Sequence, residues 1–165
     1  MKNFIAKALG VAGVVAGGAL FAVPAHAQSA TGDATVRILQ AITVTKAADL
    51  NFGKVLPSGA ASTVAIAADG SRTCGAGLSC FGTTTAGAFN VTGSAGETVS
   101  VAIDNPTITL SNGAQSMTVA LTASASSLQL TGGNGSFRVA GTLNVGANQA
   151  AGTYNGQYSV SVSYQ

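Results

Sequence analysis

The chain has 165 residues and a formal net charge of +2, with 7% charged against 47% hydrophobic residues, one histidine and no tryptophan. Its few charges are scattered, so it offers no electrostatic footprint for a phosphate backbone, which excludes nucleic acid as a partner. Low charge combined with regular apolar alternation also excludes a disordered chain.

In chain order, Lys2 and Lys7 lead into an apolar stretch, Ala8 to Val23, that closes on Pro24-Ala25-His26-Ala27. This is the pattern of a secretory signal peptide, cut before Gln28. A membrane anchor is the competing reading, because the run approaches the roughly 20 residues of a spanning helix. Gly10, Gly13, Gly17 and Gly18 weaken that alternative. Cleavage predicts a signal over 1–27 and one folded domain over 28–165, with no membrane insertion after processing. The expected location is the periplasm, the cell surface or the extracellular space. His26 leaves with the signal, and five basic and five acidic residues remain, so the processed chain is formally neutral. Its 138 residues suit one domain with a single core.

Period-two alternation dominates the processed chain, as expected where a strand buries one face. Thr35 to Thr45 carries Val36, Ile38, Ile42 and Val44 in one register. Leu50 to Leu56 and Thr63 to Ala67 read as two more strands, and Asp69-Gly70 closes a hairpin. Phe89 to Thr92 is a short strand. Glu97 to Ile103 points Val99, Val101 and Ile103 inward, Thr107 to Leu110 follows, and Ser116 to Thr122 points Met117, Val119 and Leu121 inward. Asp104-Asn105-Pro106 and Ser111-Asn112-Gly113 punctuate them as turns. Ser136 to Val145 sets Phe137, Val139, Leu143 and Val145 against Ser136, Arg138, Thr142 and Asn144. In Thr153 to Gln165, Tyr154, Gly156, Tyr158, Val160, Val162 and Tyr164 alternate with polar residues. Eight to ten short strands without a helical period predict an all-β fold: a single immunoglobulin-like, pilin-like β-sandwich with Greek-key connections. A closed barrel is the alternative. An outer-membrane barrel is disfavoured by short strands and few aromatics.

The two cysteines, Cys74 and Cys80, have five residues between them in a glycine-rich stretch. After export they are expected to form a disulfide that staples a short loop. Two cysteines without a histidine do not make a metal site, and the spacing is wider than a redox C-x-x-C pair. No processed histidine activates a serine or threonine, so no catalytic residue and no cofactor are expected. Asp69 and Asp104 belong to turns, while Asp49 and Glu97 sit at strand starts; no dense calcium-binding pattern occurs. Gly132 to Gly135 reads as a tight turn, not a phosphate loop, since no lysine or helix follows. Asn90-Val91-Thr92 and Asn134-Gly135-Ser136 match the glycosylation sequon but read as accidents of a threonine-rich strand and a turn.

Asp49-Leu50-Asn51-Phe52-Gly53-Lys54-Val55, Phe89-Asn90-Val91-Thr92-Gly93, and Gly141-Thr142-Leu143 followed by Ala150-Ala151-Gly152-Thr153-Tyr154 together resemble the bacterial family called domain of unknown function 4402. More distantly the chain resembles chaperone-usher pilins and spore-coat-U-like secreted proteins. Such pilins place a glycine 14 places from the C-terminus and a penultimate tyrosine, which Gly152 and Tyr164 match. The pilin resemblance implies a terminal strand, here Gly152, Tyr158, Val160, Val162 and Tyr164, read by a periplasmic chaperone and usher. It also implies a strand supplied by a sister subunit. Only Gln28 to Asp33 precede the first alternating segment. Either Val36, Ile38, Ile42 and Val44 are themselves the pairing residues, or the domain is complete alone.

The expected function is therefore an exported structural subunit of a surface fibre or layer, assembling by strand pairing between subunits, and not an enzyme. The alternative is a self-contained secreted module that binds a surface glycan or protein; a small secreted hydrolase stands third. The terminal alternation is equally explained as the core face of a last strand.

Overall fold

The computed structural model describes residues 28–165; the signal peptide expected over 1–27 lies outside the described residues. Arg37–Gln165 form one compact unit, of which the described residues before Arg37 are not part. Among the described residues there is no helix, and all strand pairs are antiparallel.

The organising strand is β11 (Asn134–Val145), the longest at 12 residues. Its register places Val139 opposite both Gly87 and Ala123, and Leu143 opposite both Val64 and Val119. Thus β6 (Gly87–Thr92) and β3 (Ser62–Ile66) follow one another along one edge of β11, while β9 (Ser116–Ala123) takes the other. Outside these lie β1 (Thr43–Ala48) on β6, β4 (Arg72–Cys74) on β3 and β8 (Thr107–Ser111) on β9. A second sheet runs β10 (Ser127–Gln129), β7 (Thr98–Ile103), β12 (Val160–Tyr164), and β2 (Lys54–Leu56) pairs with β5 (Ser79–Phe81) in a small ribbon.

The alternating positions expected to point inward form the core. Val99, Val119, Leu121, Phe137, Val139, Leu143 and Val145 are buried, and no polar or charged residue is buried among the described residues. Two strand glycines make room for larger neighbours. A Cβ at Gly141 would lie 2.7 Å from Leu50 Cδ2 and 3.1 Å from Phe52 Cζ. One at Gly135 would lie 2.6 Å from Leu128 Cδ2. The Phe89 and Phe137 rings stack with centroids 5.3 Å apart, and Tyr158 meets Phe89 edge-on at 6.0 Å.

Three expected strands are shorter in the structure, each for a physical reason. The segment Thr35 to Thr45 becomes a strand only from Thr43, because earlier residues have no sheet partner, and Val36 and Ile38 are each 85% exposed. Leu50 to Leu56 is interrupted where Asn51 Oδ1 accepts the Gly53 amide at 2.8 Å and Gly53 turns at φ 74°. Thr153 to Gln165 forms a ladder only over β12. Before it, Asn155 bridges Ser111 of β8, and since β7 and β8 lie in different sheets the terminal segment changes partners between them. The Asp69-Gly70 turn does join β3 to β4, with Ser71 donating to Asp69 Oδ1 at 2.8 Å; these hydrogen bonds hold the Asp69 carboxyl below its ordinary value.

The disulfide between Cys74 and Cys80, with Cα atoms 6.2 Å apart, ties β4 to β5 and so staples the ribbon to the large sheet. Arg72 Nη1 reinforces this junction by donating to the carbonyls of Phe81 at 2.9 Å and Phe52 at 3.3 Å. Gly53 sits against the same guanidinium. A Cβ there would stand 2.6 Å from both Arg72 Nη1 and the Phe81 carbonyl, on a left-handed backbone that disfavours a side chain. Replacing Gly53→Ala is therefore expected to lower stability by about 2 kcal/mol, read from the urea midpoint. An unchanged midpoint would contradict the close approach.

Candidate functional site

No group of three or more His, Cys, Asp or Glu residues that could hold a metal ion occurs among the described residues. Asp49, Glu97 and Asp104 have local partners. Lys46 Nζ lies 2.6 Å from Asp49 Oδ1, Arg37 pairs with Glu97, and Asp104 Oδ1 accepts from Ser161 Oγ at 2.5 Å. The surface feature with binding capacity is backbone.

β12 is an edge strand whose ladder phase follows from its two flanking bonds: Asp104 N–H donates to Ser159 C=O at 3.0 Å, and Gln165 N–H donates to Thr98 C=O at 3.1 Å. Antiparallel bonding alternates along a strand, so odd-numbered residues bond to β7 and the N–H and C=O groups of Val160, Val162 and Tyr164 face the open edge. Their side chains turn to the core, against which all three pack. The sequence of this edge, Val-Ser-Val-Ser-Tyr, has no charge and no proline, the usual protections of a free edge. Other edges are guarded: β4 and β10 have only three residues each, β1 carries Lys46, and β8 is bridged at Ser111 by Asn155.

The core also opens into a cleft of about 870 Å³, whose lining reaches the terminal segment at Tyr158, two residues before β12. Leu50, Phe52, Leu110, Met117, Leu143 and Tyr158 contribute its apolar lining, and the segment from Gln149 to Tyr158 forms one wall. That wall is sparsely bonded to the sheets. Its Tyr154 hydroxyl donates to the Ala150 carbonyl at 2.8 Å and accepts from Gln149 Nε2 at 2.9 Å.

The residues singled out from sequence fall into two groups. Val36 and Ile38 are exposed, whereas Ile42 and Val44 pack against their own core. Tyr158 and Gly152 line the cleft, Gly152 also lying against Asn112 in the loop after β8, whereas Val160, Val162 and Tyr164 pack against the core. Sequence reading missed a link between these groups. The Tyr164 hydroxyl donates to the Gln40 carbonyl at 2.7 Å and accepts from the Ser94 amide at 2.7 Å, while the Gln40 amide donates to Ser94 Oγ at 2.7 Å. Gly93 leaves room for the ring, since a Cβ there would lie 2.5 Å from the Tyr164 hydroxyl. The penultimate tyrosine was the one visible signal.

A family model described as domain of unknown function (DUF4402) matches residues 42–164, and the chain belongs to that family. The match takes in β12 and the cleft and begins after Val36 and Ile38. Neither the curated proteins nor the solved structures contain a match.

Burial pushes the Tyr158 hydroxyl above its ordinary value of 10.0, and the charge of Asp49 pushes it the same way. A raised value disfavours the tyrosinate in the folded state. The resulting stabilisation is complete below the unfolded value and is lost as pH rises through the folded one. Stability should therefore fall above about pH 10, and Tyr158→Phe should flatten that fall in urea titrations across the range. Parallel alkaline slopes for both proteins would contradict this role for Tyr158.

Proposed function

We propose that this family member is an exported structural subunit of a surface fibre or surface layer, in which the segment before β1 of one copy pairs with β12 of another. On this reading the sheets form one immunoglobulin-like β-sandwich with Greek-key connections, and the open edge is where a further strand belongs. The single observation that carries it is the unprotected backbone edge at Val160, Val162 and Tyr164. Backbone bonds along such an edge supply affinity, and the alternating apolar side chains of the incoming strand supply register.

The partner is within the same sequence. Val36 and Ile38 alternate as a strand does, lie 85% exposed, and precede the family's own domain. Each gains roughly 1.5–3 kcal/mol when fully buried. The secretory pattern of 1–27 and the Cys74–Cys80 disulfide favour export, and no helix among the described residues is long and apolar enough to cross a membrane. Before assembly the same edge suits a periplasmic chaperone, with an usher handing subunits on.

Light scattering after size-exclusion chromatography tests this reading. The wild-type chain should associate, and Val36→Asn combined with Ile38→Asn should weaken association by about a hundredfold, the equivalent of ~3 kcal/mol of lost burial. Their exposure predicts an unchanged thermal midpoint. A wild-type chain that stays monomeric at high concentration would overturn assembly and favour a self-contained module binding a surface glycan or protein.

A further inference from the structure

We infer that Tyr164, Ser94 and Gln40 act as a clamp that keeps the residues before Gln40 off the β12 edge of their own chain and so directs them to a second copy. This rests on the strand-pairing reading above. Any subunit that carries both a pairing segment and its receiving edge meets a competition within the chain. A tethered segment sees its own edge at an effective concentration on the order of millimolar, far above that of another copy in dilute solution. Closure within one chain prevails unless geometry opposes it.

The clamp supplies that opposition. Gln40 has both backbone groups engaged by side chains, its N–H by Ser94 Oγ and its C=O by the Tyr164 hydroxyl. Neither is free to join a ladder on β12. Three residues earlier, Arg37 pairs with Glu97. Ser94 and Glu97 both belong to the connection between β6 and β7, so residues 37–40 are held across the ends of the strands and not along the edge of β12. With Gln40 fixed beside Tyr164, the last residue of β12, the preceding residues could follow their own β12 only in its direction. That is a parallel pairing, with slanted and weaker bonds. In a second copy the same clamp engages Arg37 and Gln40, but that copy's orientation is not fixed by this chain, so its exposed Val36 and Ile38 can be presented antiparallel. Gly93 belongs to this device, because a side chain there would displace the Tyr164 hydroxyl from both partners.

Tyr164 is accordingly a positioning residue whose hydroxyl matters more than its ring. The test uses the full-length chain from an exporting host, with hydrogen exchange followed in dilute solution and association followed separately by light scattering. Two variants attack the clamp from opposite sides: Tyr164→Phe, and Ser94→Ala combined with Arg37→Gln. Either variant, provided its thermal midpoint shows it folded, should slow exchange at residues 36–39 and at Val160, Val162 and Tyr164 or its replacement by at least tenfold, as the freed segment pairs within its own chain. The corresponding loss of association should be at least tenfold. Unchanged exchange at those amides in a folded variant overturns the clamp, even where the wild-type chain associates. A wild-type chain that never associates overturns the strand-pairing reading instead, and exchange in the variants still decides whether the clamp bars closure.

Discussion

A β-strand has two hydrogen-bonding edges, and β12 has a partner on one of them. Most other features of the molecule bear on that asymmetry. The side chains of Val160, Val162 and Tyr164 are committed to the core, so the strand cannot rotate to present a different face. Its even-numbered backbone groups therefore remain aimed outward at the open edge. Water satisfies them in an isolated molecule, but a strand does so with apolar burial added, and the neutral edge has no charge or proline to turn one away.

The packing around β11 shapes the cleft. β11 holds β6 and β3 along one edge and β9 along the other, so the large sheet is continuous behind the cleft. Gly141 lets Leu50 and Phe52 reach that sheet, and Arg72 with the Cys74–Cys80 disulfide pins the ribbon carrying Val55 beside them. The family motifs thus acquire physical reasons. Asn51 and Gly53 make the turn that delivers Phe52 to the core; Gly93 makes space for Tyr164; Gly141 makes space for Leu50 and Phe52. Together they shape the core around the cleft and the end of β12.

Alternation made most of the fold legible in the sequence, because residues such as Val99, Val119, Phe137 and Leu143 sit on strands buried on one face only, where period two is undiluted. It failed where pairing depends on what lies alongside. Val36 and Ile38 share a register with Ile42 and Val44, yet only Val44 lies in a strand, with Ile42 packed against the core beside it. The terminal segment alternates from Tyr154 onward, yet it becomes a ladder only after leaving β8 for β7. β4, β5 and β10, at three residues each, are too short for any period to register. The clamp was invisible for a further reason: Tyr164 and Gln40 are 124 residues apart, and their bond uses a backbone carbonyl, which every residue possesses.

The central claim is that residues near Ile38 of one copy lie along β12 of another. Photo-crosslinking from position 38, in an equal mixture of isotopically light and heavy protein, reads it directly. Strand pairing between copies gives mixed light–heavy products whose second site falls within Val160–Tyr164. Crosslinks confined to single chains, or crosslinks between chains that avoid β12, would contradict it.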